Sequence, residues 1–178
     1  MKRIAVITGA SSGLGREFAR LLAREAVDEL WLVARREERL RELAVEVALP
    51  CRVFVLDLTQ ESALEALSEA LSAEPVTVRW LVNAAGFGRI GMAADIGAAT
   101  TGRMIALNCR AAAELTERVL PYMEQGSRVL EIASCAAFQP IPYLAAYAAT
   151  KAFLLRYSRA LAAEVAERGI TVTAICPY

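Results

Sequence analysis

Six short apolar runs recur along the 178 residues, and a helix-length stretch separates each from the next. The runs are residues 3–8, 29–34, 52–57, 79–83, 128–133 and 170–176. Most are almost continuously apolar, where a strand with one wet face would alternate. That pattern suits strands covered on both faces, as in a parallel sheet. The intervening stretches carry helical spacing. Residues 15–26 place Phe18, Leu21 and Leu22 on one face, 37–48 place Leu40, Leu43 and Val47, and 60–72 repeat Leu64, Leu67 and Leu71. Residues 101–123 and 145–168 form the two longest, and Gly169 stands where a helix-ending glycine belongs. Strict β–α alternation predicts one doubly wound α/β domain with right-handed crossovers, its ligands bound at the carboxyl ends of the strands.

The first such end is rich in glycine. Thr8-Gly9-Ala10-Ser11-Ser12-Gly13-Leu14-Gly15 joins the first strand to the first helix. Glycine permits the tight turn and lets backbone amides approach a ligand. A helix beginning there aims its N–H groups and positive dipole end at an anion such as phosphate. Ser11 and Ser12 can cap that helix or donate to phosphate oxygens. The plainer alternative is a turn that merely closes a β–α corner. The spacing Gly-x-x-x-Gly-x-Gly is neither Gly-x-Gly-x-x-Gly nor a loop ending in Gly-Lys-Ser/Thr.

Composition narrows the chemistry. Formal net charge is zero, which implies no broad attraction to nucleic acid or to an anionic membrane. No run approaches the ~18 apolar residues of a membrane span. The apolar run 4–7 is too short for a secretory signal and is read as the first strand. Cys51, Cys109, Cys135 and Cys176 are widely spaced, and the chain has no histidine, so no zinc site is expected. Reduced thiols in a cytoplasmic protein are the simplest reading.

Acid/base chemistry must therefore come from other groups. Tyr147 and Lys151 are four residues apart in Tyr-Ala-Ala-Thr-Lys, within the last long helical stretch, and Ser134 lies upstream at the end of the fifth run. With 5 Tyr and only 2 Lys in the chain, chance supplies about 0.06 such pairs. Residues i and i+4 share a helix face. An ammonium beside a phenol favours the phenolate, which turns a tyrosine into a usable proton donor or acceptor. A hydroxyl such as that of Ser134 can polarise a carbonyl as charge develops on its oxygen.

Taken in order, Thr8-Gly9-x-x-x-Gly13-x-Gly15, Asp57, Asn83-Ala84-Ala85-Gly86, Asn108, Ser134 and Tyr147-x-x-x-Lys151 resemble the short-chain dehydrogenases/reductases over essentially the whole chain. The resemblance implies a Rossmann fold with strand order 3-2-1-4-5-6. It also implies hydride transfer between a nicotinamide cofactor and a carbonyl or alcohol. Asn108, Ser134, Tyr147 and Lys151 would be the catalytic set. Gly9, Ser11, Ser12, Gly13, Leu14, Gly15, Asp57, Leu58, Asn83, Ala84, Ala85, Gly86, Tyr147, Lys151 and Pro177 would surround the cofactor. Asp57 and Leu58 resemble the pair that holds the adenine, although Asp57 fits a helix cap equally well. Asn108 matches the residue that holds a water in a relay to the lysine. Ala84 stands where the family usually has asparagine, which implies a modest loss of rigidity.

Cofactor choice rests on the end of the second strand. NAD-preferring relatives carry a carboxylate there, whereas this chain reads Val33-Ala34-Arg35-Arg36. A guanidinium grips a 2′-phosphate in two places and a carboxylate repels it, so NADP(H) is expected over NAD(H). The alternative leaves Arg35 and Arg36 as a solvated helix start. Phe87, Phe138 and Leu144 are candidates for the pocket wall or the core, and Tyr143 for the pocket wall or a loop. The two long helices imply a homodimer or homotetramer through Leu107, Leu115, Val119, Phe153, Leu154 and Leu161.

Family members usually continue past this point into a mobile helical lid and a seventh strand. Residues 1–178 are therefore expected to be one dinucleotide-binding domain, either part of a longer protein or a truly short member of the family. The competing functional class is a nucleotide-binding regulatory or scaffold protein of the same fold without turnover. An isomerase or dehydratase on the same fold is a third possibility.

Overall fold

The computed structural model describes residues 1–178. Strand β1 (Lys2–Thr8) leads through the glycine turn to α1 (Gly13–Leu22). Next come β2 (Glu29–Ala34), α2 (Glu37–Glu46), β3 (Cys51–Val55), α3 (Glu61–Ser72) and β4 (Val76–Asn83). A short α4 (Ala93–Ile96) and α5 (Ala98–Ile105) follow, then a π-helical turn (Ala106–Ala111) that runs into α6 (Ala112–Val119). The chain closes with β5 (Arg128–Ile132), α7 (Ala145–Glu164) and β6 (Thr171–Ile175). All six strands are parallel, in the order β3-β2-β1-β4-β5-β6. This is the Rossmann order, with its reversal between β1 and β4, where ligand crevices form. No helix is long and apolar enough to cross a membrane.

The continuous apolar runs reflect two cores. Ile4, Val6, Trp31, Val33, Leu81 and Val129 pack with α3, α6 and α7 on one face. Their neighbours in sequence, Ala5, Ile7, Leu30, Leu32 and Val82, pack with α1 and α2 on the other. Strand side chains alternate between faces, so a strand buried on both sides must be apolar at every position. Trp80, Leu130 and Ile175 lie on the α1–α2 face but are only partly buried, and β6 pairs with β5 alone.

Several sequence readings shift. In α1 the buried face is Gly15, Ala19 and Leu22, whereas Leu21 is 57% exposed and Phe18 half-buried. The long helix expected over 101–123 starts earlier, after Gly97 at φ 76°, and is broken in the middle by the π turn. It ends early in a 3-10 turn that contains Pro121. Helix α7 stops at Glu164, and a 3-10 turn carries the chain to Gly169, whose φ of 67° is the left-handed conformation expected of it. Of the residues proposed for an oligomer contact, Leu115, Val119, Leu154 and Leu161 are buried inside this chain, and Leu107 packs against the core. Only Phe153 is exposed, stacked on Tyr157. The excess apolar surface inferred from sequence is the ordinary inner stripe of two core helices.

Two features lock the sheet, one steric and one polar. At the β1–α1 turn, a side chain at Gly15 would stand 2.5 Å from the Gly9 carbonyl oxygen, and one at Gly9 would stand 2.7 Å from that of Ala84. Gly9 also sits at φ 67°. Strand β1, helix α1 and the end of β4 therefore touch backbone to backbone. Beneath the sheet, Asn83 Nδ2 donates to Glu131 Oε1 at 2.7 Å and to Thr116 Oγ1 at 2.8 Å, and Thr116 Oγ1 donates to the same carboxyl oxygen at 3.0 Å. Glu131 is fully buried and its Oε2 has no partner. Burial pushes this carboxyl up to about 7, against the pull of the Asn83 and Thr116 hydrogen bonds and the Lys151 charge.

Gly15→Ala is expected to lose about 1–3 kcal/mol from overpacking against backbone that cannot yield. A thermal midpoint within 1 °C or so of wild type would show that the turn relaxes instead. For Glu131 the sign follows from the raised value. The folded state holds the proton more tightly between about pH 4.5 and 7, so the carboxyl weakens the fold progressively as pH rises through that window. Glu131→Gln should raise stability at pH 8 by up to about 3 kcal/mol and leave it nearly unchanged near pH 4.5. Denaturant melts at both pH values check this, and an equal gain at both would refute it.

Candidate active site

A cleft of about 690 Å³ runs along the carboxyl edge of the sheet, from Gly9 through Arg35, Arg36 and Asp57 to Ala84–Gly88, Tyr147, Lys151 and Pro177. Of the residues expected around a cofactor, all line it except Gly15 and Asn83. Gly15 is buried beneath the turn. Asn83 points its amide into the core, where it serves Glu131, Thr116 and the Ala112 carbonyl. Glu131 and Thr116 went unnoticed in the sequence because they join Asn83 only through the pairing of β4 with β5 and the packing of α6.

The residues of the turn fit an anionic dinucleotide. Gly13 sits at φ 55°, and a side chain added there would meet nothing within 4 Å, so the backbone of the helix start faces open space. Ser12 caps α1 by position, yet its side chain accepts no capping bond from the helix. Both serine hydroxyls instead accept from Arg36: Nη2 lies 3.0 Å from Ser11 Oγ and 2.6 Å from Ser12 Oγ. Arg36 thus bridges the turn and the end of β2, while Arg35 extends into solvent with Nη1 4.0 Å from Asp57 Oδ2. Asp57 Oδ1 accepts from Thr59 N and Thr59 Oγ1 at 3.0 and 2.8 Å. It braces a turn ahead of α3, whose own cap is Gln60. Partial burial pushes the Asp57 carboxyl up, but the Thr59 bonds and the Arg35 charge outweigh it and leave it below its ordinary value.

At the other end, Tyr147 and Lys151 share one face of α7 as their spacing requires, with Lys151 Nζ 5.7 Å from the centre of the Tyr147 ring. Lys151 is buried and donates to the Ile132 carbonyl at 2.6 Å. Burial pushes its amine down to about 8, although Glu131, Cys109 and Cys176 pull the other way. Ser134 follows β5 and caps a 3-10 turn, its Oγ accepting from Ala136 N at 3.2 Å. The hydroxyl hydrogen has only the Cys135 sulfur, 4.0 Å away, to address, but Ser134 is buried and, unlike Ile132 and Ala133 just before it, does not line the cleft.

Asn108 lies in the π turn, fully buried. Its Oδ1 accepts from Phe87 N at 3.0 Å, and its Nδ2 donates to the Phe87 carbonyl at 2.9 Å and to Thr150 Oγ1 at 3.0 Å. The side chain thus clamps the loop after β4 to α7. Phe87 and Leu144 line the cleft. Phe138 is 63% exposed outside it. Tyr143, also exposed, holds φ 66° in a loop and accepts Gly91 N at its carbonyl. Neither aromatic lines the cleft.

The family model for short chain dehydrogenases matches residues 3–178. Sulfoacetaldehyde reductase 2 of Chromohalobacter salexigens is 36% identical over 183 residues, spanning 99% of this chain and 72% of that protein. An uncharacterized oxidoreductase of Staphylococcus epidermidis is 30% identical, spanning 99% and 77%. Among solved structures, a short-chain dehydrogenase from Sphingobium yanoikuyae in complex with NADPH superposes with a TM-score of 0.87 at 32% identity, covering 99% of this chain and 71% of that one. The 3-ketoacyl-(acyl-carrier-protein) reductase from Brucella melitensis complexed with NADH gives 0.88 at 30% identity, covering 98% and 75%. A Rossmann sheet in the right order, a glycine turn opening on its cleft and a Tyr–Lys pair at the far end agree with these likenesses, and the chain belongs to the short-chain dehydrogenases/reductases, the nicotinamide-dependent oxidoreductases of alcohols and carbonyls.

Proposed function

We propose that this chain carries out NADP(H)-dependent interconversion of a carbonyl and an alcohol, with Tyr147 exchanging the proton. The observation that carries this reading is the placement of Lys151 Nζ over the Tyr147 ring, at the end of the cleft that begins at the glycine turn. The chemistry supplied by a bound nicotinamide is hydride transfer. The side chains have the remaining work. The Ser134 hydroxyl donates to the substrate oxygen and polarises it. Tyr147 delivers a proton to that oxygen in reduction and removes it in oxidation. Lys151 stands behind it with an amine pushed down to about 8, near enough to neutrality to exchange protons in either direction. Asn108 and Thr150 hold loop and helix in register. The preference for NADP(H) is supported by Arg35 and Arg36, which put two guanidinium groups and no carboxylate at the end of β2.

Tyr147→Phe should lower kcat by about 10²–10⁴-fold with little change in cofactor binding, measured as NADPH oxidation over a panel of ketones and aldehydes. Retained turnover sinks the mechanism, and NADPH binding by the wild type without turnover on any carbonyl returns the reading to a non-catalytic binder. Replacing Arg35 and Arg36 together by Ala should raise the KM for NADPH about 10–100-fold and leave that for NADH nearly unchanged, since each charge-assisted bond to a phosphate is worth about 1.5–3 kcal/mol. A wild-type preference for NADH over NADPH would overturn the cofactor assignment.

A further inference from the structure

We infer that Gly88 is a positioning residue for the Tyr147 phenol: the side chain it lacks is the space in which the ring is seated. This assignment rests on the proposed role of Tyr147 as proton carrier. A Cβ at position 88 would stand 2.7 Å from Tyr147 Cδ2, 3.0 Å from Cγ and 3.1 Å from Cε2. Three contiguous ring atoms therefore lie well inside the ~3.5–4.0 Å at which carbon atoms rest comfortably. The ring leans directly on the backbone of the loop that follows β4.

Neither partner can retreat as a whole. Phe87, between Gly86 and Gly88, is clamped at both its N–H and its carbonyl by Asn108. Asn108 also donates to Thr150, which in turn donates to the Tyr147 carbonyl at 2.8 Å. The loop and the backbone of α7 are thus tied to each other through one amide and one hydroxyl. On the far side of Phe87, a side chain at Gly86 would meet Asn108 Oδ1 at 3.1 Å and Lys151 Nζ at 3.5 Å. The two glycines bring the loop into contact with the lysine at one end and the tyrosine at the other. The soft coordinate left to absorb a methyl group at 88 is the ring itself, which would be pushed off its seat. Gly88 is not among the glycines with positive φ, so alanine takes up its backbone conformation without strain.

Gly88→Ala is expected to lower kcat by about 10–100-fold, the consequence of moving a reacting group by about an ångström. The dissociation constant for NADPH should stay within about twofold of wild type, since binding does not need the phenol in register. Gly102→Ala, on α5 with nothing within 4 Å of the added methyl, serves as the matched control and should keep wild-type kcat. A thermal-midpoint cycle isolates the contact from activity. Whatever stability Gly88→Ala loses in the wild type should vanish in a Tyr147→Ala background, where the ring is gone. A wild-type kcat for Gly88→Ala, or a midpoint loss that persists without the ring, would overturn the assignment. If Tyr147→Phe alone kept full turnover, the proton-carrier reading and this assignment would fall together, even with the stability cycle intact.

Discussion

The Tyr147 end of the cleft depends on keeping an ammonium group in a nearly dry place. Lys151 is only 6% exposed, and the one hydrogen bond its Nζ makes is to the carbonyl of Ile132, at the very end of β5. Burying a charge without full compensation shifts its equilibrium toward the neutral form. That is why the amine falls from 10.5 to about 8, a penalty of about 3 kcal/mol on the charged state. The same bond fixes α7 against the carboxyl edge of the sheet, and with it the face that carries Tyr147. The helix is positioned by the group whose charge the proposed mechanism uses. A surface lysine would hold its proton more firmly but could not anchor the helix.

The opposite charge is stored one residue earlier. Glu131 is buried beneath β5 with one oxygen unpartnered, and its carboxyl rises toward neutrality as the Lys151 amine falls. Each charge favours the ionised form of the other, yet burial dominates both. Asn83 reads differently in this light. Its place at the end of the fourth strand suggests a cofactor contact, but its amide feeds the buried carboxyl, and through Thr116 it ties β4 and β5 to α6. The contribution of Asn83 to the cleft is therefore indirect: it holds the strand end from which Ala84, Ala85 and Gly86 emerge.

What could be read from the sequence divides along physical lines. Strands buried on both faces announce themselves through unbroken apolar runs, and β2 was legible to the residue. The glycine turn and the Tyr–Lys spacing were legible because local backbone geometry enforces them. Leu21 was misplaced because the close backbone approach at Gly15 sets which face of α1 turns inward, and the residues in line with it are Ala19 and Leu22. The π turn left no mark, since inserting one residue into a helix changes no side-chain type. The partners of Asn108 and Asn83 were hidden for a deeper reason: Phe87, Thr150, Thr116 and Glu131 meet them only after parallel strands far apart in sequence have paired.

That hidden network explains how a site made of distant pieces can be rigid. Tyr147 and Lys151 come from one helix, Ser134 from the end of a strand, and the floor of the cleft from the loop after β4. No continuous element joins them. Asn108 clamps the loop to the π turn, Thr150 passes that hold to the backbone of Tyr147, and Lys151 closes the circuit on Ile132, two residues from Ser134. Each link is one or two hydrogen bonds between buried or half-buried groups, where an unmade bond leaves its partner stranded at a cost of about 1–3 kcal/mol. The links therefore stand or fall together. Geometry at the phenol depends as much on an asparagine that faces away from the cleft as on the residues that line it.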